Sequence, residues 1–288
     1  MRRGIDMREY DEQTLHKVQQ YELEILKDFI DLCNRHHIRY FGIAGTGIGA
    51  IRHKGFIPWD DDIDVAMLRE DYEKFQNVAI QEYGDKYKLL NAETRENYPL
   101  MTAQWAKIGT EFRTMPFKRV DCDFGIYLDI FPLDFVSDDE KARLKQGRTA
   151  WFWSKLMILR ILPFPELAFT GIKRQLFHAV FWIVHWTLRV LHISPSWLYQ
   201  KAYKATTRYN HLHTKRVAFL CETSPFSNEF DYDDIFPLQT LNFEGLEMAF
   251  PRHLDKILTK YYGNYMELPP VDKRKNHYPY TLDFGDGK

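Results

Sequence analysis

Cysteine is scarce in this chain. Cys33, Cys122 and Cys221 lie far apart and form no CxxC pair, which excludes a disulfide framework and a zinc pattern and makes a reducing, cytoplasmic setting the simplest expectation. The start of the chain, Met1-Arg2-Arg3-Gly4-Ile5-Asp6-Met7-Arg8-Glu9, has no apolar run of the kind a signal peptide needs. Charge of one sign is not in excess either. The net value is −1, so bulk charge names no anionic partner, and no nucleic acid is expected. No internal repeat or low-complexity linker divides the sequence. Aromatic side chains, by contrast, are abundant, at 16% of 288 residues. They suit cores, stacking surfaces and membrane interfaces alike, so they leave the partner open.

Hydrophobic spacing organises the chain. In residues 11–37, Leu15, Val18, Ile25, Leu26, Phe29 and Cys33 recur at helical intervals. Ile38 to Ala44 reads as a strand ended by the glycine-rich turn Gly45-Thr46-Gly47-Ile48-Gly49, with a short helical turn through Ile51 and Arg52. Asp62 to Met67 reads as a second strand, 69–83 as a helix, and Tyr87–Leu90, Thr102–Ile108 and Phe124–Phe131 as further strands. Near the end, Leu254, Ile257, Leu258 and Tyr261 suit a short amphipathic helix. Strands and helices mixed in this way predict an α+β (mixed α/β) sheet domain with flanking helices. The expected organisation is a catalytic core over 1–150, a helical, basic aromatic insertion over 151–220, and a C-terminal part over 221–288 that completes the core.

The insertion differs in character from the rest. From Trp151 to Leu220 it holds ten Lys or Arg, one acidic residue (Glu166) and five of the seven tryptophans. Between Leu176 and Ile193 a mainly apolar run is interrupted only by Thr187 and by His178, His185, Arg189 and His192; on a helix those last four form one narrow polar stripe. A spanning helix needs about twenty apolar residues and is weakened by a buried Arg. Two readings stay open at this point. One is an interfacial helix with its apolar face in an anionic membrane. The other is a core helix whose polar stripe faces solvent or a groove.

The chemistry concentrates in Asp60-Asp61-Asp62-Ile63-Asp64. Side chains alternate along a strand, so Asp62 and Asp64 share a face with Ile63 behind them, Asp60 joins if the extended chain begins early, and Asp61 faces away. Close carboxylates repel and ionise together comfortably when a cation lies between them. Hard oxygen ligands of this kind suit Mg²⁺ or Mn²⁺. Upstream, Gly45, Gly47 and Gly49 let backbone approach an anion, and Thr46 adds a hydroxyl. A solvated acidic loop is a poor fit beside Trp59, Ile63, Val65 and Met67. A calcium loop fails because Val65 and Asp71 stand where it needs Gly and Glu. The glycines also have the wrong spacing for a dinucleotide fingerprint. Metal-assisted phosphoryl chemistry stands ahead of these alternatives.

The block from Gly45 through Asp60-Asp61-Asp62-Ile63-Asp64-Val65 resembles the signature of the LicD family, whose eukaryotic relatives include fukutin and fukutin-related protein. Ala106-Lys107-Ile108 with Thr110, then Gly125-Ile126-Tyr127-Leu128-Asp129-Ile130-Phe131-Pro132-Leu133-Asp134, look like its next two blocks. Tyr262-Gly263-Asn264-Tyr265-Met266 with Leu268-Pro269-Pro270 and His277 looks like its C-terminal block. The resemblance implies a nucleotidyltransferase-like fold and transfer of a phospho-alcohol, phosphocholine foremost, from a CDP-activated donor to a hydroxyl of a cell-surface glycan or its lipid-linked precursor. It also implies that Asp62 and Asp64 bind the metal, with Asp129 as a third carboxylate. One departure is that many relatives carry Gly-Gly-Thr-Leu-Leu-Gly where this chain has Ala44-Gly45-Thr46-Gly47-Ile48-Gly49.

Other residues carry competing readings. Arg52 and Lys107 hold donor phosphate or make surface ion pairs. Asp60 orients a water or Arg52, assists the chemistry, or caps the loop. Asp134 reads as a turn residue after Pro132 rather than a ligand, and His277 with Lys273 and Arg274 either reaches the donor or forms a solvated basic tail, the tail being the simpler expectation. Two other functions compete with phospho-alcohol transfer: an NTP-using nucleotidyltransferase acting on a small molecule, and a non-catalytic scaffold at a membrane surface. The last leaves the aspartates unexplained.

Overall fold

The computed structural model describes residues 10–165, 167, 170–274 and 276–285. The N-terminal nine residues and Glu166, both used in the reading above, lie outside that set. Helix α1 (Glu12–Arg35) is capped by Asp11, whose carboxylate accepts the Thr14 N–H, and buries Val18, Ile25, Leu26, Phe29, Leu32 and Cys33 along one stripe. The strand expected next is only β1 (Phe41–Gly42), and the glycine-rich run is not a turn but helix α2 (Ala44–Arg52). Its glycines serve close packing. A Cβ on Gly47 would meet Leu254, and one on Gly49 would strike the Gly55 carbonyl. Tertiary contacts thus override glycine's weak helix propensity.

Strand β2 (Asp64–Leu68) leads directly into α3 (Arg69–Tyr83). There follow β3 (Tyr87–Leu90), β4 (Ala103–Lys107), β5 (Glu111–Thr114) and the long β6 (Tyr127–Val136). The sheet order is β1-β2-β6-β4-β3, with β2 and β6 parallel. The far half of β6 pairs with β7 (Arg216–Phe219), which pairs with β8 (Asn228–Asp231). After the short α7 (Tyr232–Ile235) come the hairpin β9 (Gln239–Phe243) and β10 (Leu246–Phe250), helix α8 (Leu254–Tyr262), and β11 (Pro279–Asp283), which pairs with β5. The architecture is α+β, as the spacing predicts.

Alternation splits the sheet between two cores. Val65, Met67, Leu128 and Ile130 pack with α1, while Ala66, Leu68 and Leu133 pack with a helical layer. That layer is α4 (Glu140–Ile161), α5 (Gly171–Val190) and α6 (Pro195–Thr206), with α6 tight against α4. Asp134, expected in a turn, lies inside β6. There it accepts from Arg69 Nε at 2.9 Å and Nη2 at 2.7 Å, and from Asn210 at 2.7 Å.

Helix α5 is oriented against the usual pattern. Its histidines point inward: His185 is buried with Nδ1 2.8 Å from the Leu159 carbonyl of α4, and His178 Nε2 is buried as well. Ile172, Leu176, Ile183, Trp186 and Val190 are exposed on the opposite side, Ile172 by 85% and Val190 by 70%. The polar stripe therefore faces the protein, and only Arg189 and His192 emerge at its end.

Candidate active site

Asp64 opens β2 and stands in register with Asp129 on the parallel β6; the Asp129 N–H donates to the Ile63 carbonyl at 3.0 Å. Both carboxylates belong to the side-chain set of Ala66 and Leu133, so they project from the face that α4 and α6 cover farther along the sheet. Asp62 lies in the extended segment just before the strand, with its side chain 12% exposed. Thr46 anchors this junction. Its Oγ accepts the Asp64 N–H at 2.8 Å, while Ile43 N–H donates to the Asp64 carbonyl at 3.1 Å. The strand bearing Asp64 is thereby fastened to the first turn of α2. Gly45 sits in that turn against Asp60, and a Cβ there would lie 2.6 Å from Asp60 Oδ2.

The electrostatics of the carboxylates suit a site for a cation. Burial, and secondarily Asp62 and Asp129, push Asp64 well above the usual carboxylate range. Burial and Asp62 raise Asp129 to about 7. Asp60 is raised by burial and then by Asp62 and Asp61. Asp129 accepts from Gln104, its neighbour on β4, yet its Oδ1 is buried with no partner among the described residues. A buried carboxylate oxygen left unbonded is costly unless a cation or donor meets it. Among the described residues no three His, Cys, Asp or Glu side chains converge as a finished metal shell. Mg²⁺ suits such an arrangement, since it takes one or two carboxylates and fills its other positions with water and phosphate oxygens.

Asp61, which alternation turns away from Asp62 and Asp64, does not face solvent. It is 1% exposed, accepts the Tyr10 hydroxyl at 2.8 Å and the His277 N–H at 2.7 Å. The loop over 57–63 is not a regular strand, so period-two alternation does not apply before Asp64. His277, though its side chain is 55% exposed, is tied to the loop: its Nδ1 lies 3.2 Å from Asp62 Oδ2 and 3.5 Å from Asp61 Oδ1. Bonds to Asp61 and Asp62 raise it far above an ordinary imidazole. Tyr10 packs against Tyr278 with the rings tilted by 55°, and Arg274 lies over Trp59, so an early and a late segment of the chain close around the aspartate loop. Glu22 is buried beneath it and raised well above its ordinary range by burial and by Asp62, Asp61 and Asp60. Tyr262 also senses the cluster, its hydroxyl pushed up to about 12 by burial and by Asp64 and Asp60. Sequence spacing had no means of finding Tyr10, Glu22 or Tyr262, which arrive from distant elements.

Arg52 and Lys107 are engaged elsewhere. Arg52 closes α2 and donates to the carbonyls of Tyr265 and Glu267 in the C-terminal segment. Lys107 pairs with Glu24 of α1 at 2.5 Å and lies over Tyr21.

With this geometry in place, comparison with known proteins is informative. A family model described as the LicD/FKTN/FKRP nucleotidyltransferase domain matches residues 37–176. The lipopolysaccharide cholinephosphotransferase LicD of Haemophilus influenzae is 31% identical over 284 residues, covering 92% of this chain and 96% of that protein. An uncharacterized protein of Rickettsia typhi is 30% identical over 125 residues, 43% of this chain and 37% of its own. At the identity to the Haemophilus protein, over nearly the whole of both proteins, the chain belongs to the LicD family.

Proposed function

We propose that this protein transfers phosphocholine from CDP-choline to a hydroxyl of a cell-surface glycan or its lipid-linked precursor, releasing CMP, at the cytoplasmic face of the membrane. The observation that carries this reading is the in-register pair Asp64 and Asp129, with Asp62 beside it, in a chain that is 31% identical to a cholinephosphotransferase over almost its whole length. The acceptor oxygen attacks the β-phosphorus of the donor, the bond to the CMP oxygen breaks, and the hydroxyl proton passes to a carboxylate.

Asp62 and Asp64 would hold Mg²⁺ or Mn²⁺, with Asp129 beside them, and the ion, when bound, neutralises phosphate charge. Asp129, with its unbonded buried oxygen and its raised proton affinity, is suited to accept the acceptor proton; Asp60 is the alternative. Gly45, at the start of α2, offers backbone N–H groups to a donor phosphate. Thr46 contributes by holding Asp64 in place. Arg52 serves the site through the C-terminal segment it ties down, and Lys107 through the α1 contact it makes.

The test is CMP release by purified protein with Mg²⁺, comparing CDP-choline, CDP-ribitol, CDP-glycerol and CDP-ethanolamine, with labelled NTPs in parallel. CDP-choline should turn over fastest. Turnover of an NTP alone would replace this reading with the nucleotidyltransferase one. Asp62→Asn and Asp64→Asn should each lower kcat by at least about a thousandfold while leaving the circular dichroism spectrum unchanged. Activity retained in both variants would remove the metal assignment.

A further inference from the structure

Helix α5 presents to solvent what a surface helix ordinarily buries. Its inward line is His178, His185 and Leu188, with His185 bonded to the α4 backbone, while Ile172, Leu176, Ile183, Trp186 and Val190 form a continuous outward stripe. The inward hydrogen bond fixes the rotation of the helix, so the stripe cannot turn to the interior without orphaning a buried histidine. An outward apolar stripe of five large residues over a helix about 30 Å long is more than scattered surface hydrophobicity.

The rim of the stripe identifies its occupant. Arg189 lies over Trp186 at 5.6 Å, and Lys201 of α6 over the exposed Trp197 at 5.0 Å. Trp182 meets Trp186 edge to face at 6.3 Å. Tryptophan beside a cationic side chain suits the head-group layer of an anionic bilayer, where the ring sits at the apolar boundary and the charge reaches lipid phosphate. A second copy of the chain would set basic rim against basic rim, since residues 151–220 hold ten Lys or Arg and one acidic residue. Among the described residues no single helix is long and apolar enough to cross a membrane. α5 and the segment after it are bent by 108°, and α6 buries Leu198, Tyr199, Ala202 and Ala205 in the protein core.

We propose that α5 docks the protein on an anionic lipid bilayer, lying flat with the stripe Ile172–Val190 in the interface and Arg189 and Lys201 at the phosphates. The docking stands apart from the identity of the transferred group and from the carboxylate site.

The test is cosedimentation of the full chain with vesicles of phosphatidylcholine, with and without phosphatidylglycerol. The wild-type chain should bind the anionic vesicles, bind the neutral ones more weakly, and release from the anionic ones as salt is raised. I183Q/W186Q/V190Q replaces residues that are already solvent-exposed, so its thermal midpoint should hold while partitioning falls by about tenfold or more. R189E/K201E, which leaves the stripe intact, should lose the preference for anionic lipid. A wild-type chain that stays in the supernatant, or a triple variant that still sediments, would overturn the proposal. So would a wild-type dimer in gel filtration that the triple variant converts to monomer without any vesicle binding.

Discussion

Ala44 holds a φ of 48° at the point where β1 turns into α2. A Cβ in that region costs an L-residue about 1–2 kcal/mol, and glycine escapes this at an extra chain-entropy cost of about 0.5–1 kcal/mol. Ala44→Gly should therefore raise stability by about 0.5–1 kcal/mol, read from the midpoint of chemical denaturation. The positive φ also gives a physical reason for the glycine that many relatives of the family carry at this position. At this scale the sequence was informative where chemistry is local. Asp64 was legible because its position relative to Ile63 and Val65 determines its face. Tyr10 and Glu22 were not legible, and His277 stood out only through the C-terminal block, because each reaches the loop through tertiary structure: Tyr10 is 51 positions from Asp61 and His277 is 216.

Among the elements, α3 and β3 fall where hydrophobic spacing puts them, at Arg69–Tyr83 and Tyr87–Leu90. The glycine-rich run did not read as a helix because its packing partners, Leu254 and Gly55, are invisible to local propensity. Helix α5 was located by its apolar run but not rotated by it. The histidine line that looks like a solvent stripe is held inward by the Leu159 carbonyl. The joint between α3 and β6 is the Arg69–Asp134 fork, with side chains 10% and 2% exposed. Asp134→Ala leaves the Arg69 guanidinium buried and unpaired and should cost about 3–5 kcal/mol. Pairing that change with Arg69→Met should recover much of the loss, as a double-mutant cycle in denaturant would show. No recovery would mean that the Asn210 bond to Asp134, rather than the ion pair, carries the energy.

At the scale of the whole molecule, the site is assembled from parts that the chain visits at different times. The aspartate loop comes early, Asp129 comes with β6, and His277 arrives with the segment that leads to β11. The sheet that supports the site was legible in outline from strand spacing. Strand order was not, because β6 inserts between β2 and β4, and its far end recruits β7.

The parallel register of Asp64 with Asp129 has a temporal consequence. The two residues are more than sixty positions apart, and no hairpin can bring parallel strands together, so this pairing closes a large loop and forms slowly. Helices α1 and α3 depend on local contacts and form sooner. In refolding from denaturant, far-ultraviolet helix signal should recover ahead of the proposed CMP-releasing activity. Simultaneous recovery would mean that β2 and β6 dock as early as the helices form. Activity in this protein then reports a long-range step of folding, and a chain interrupted during synthesis before β6 is complete lacks half of its carboxylate pair.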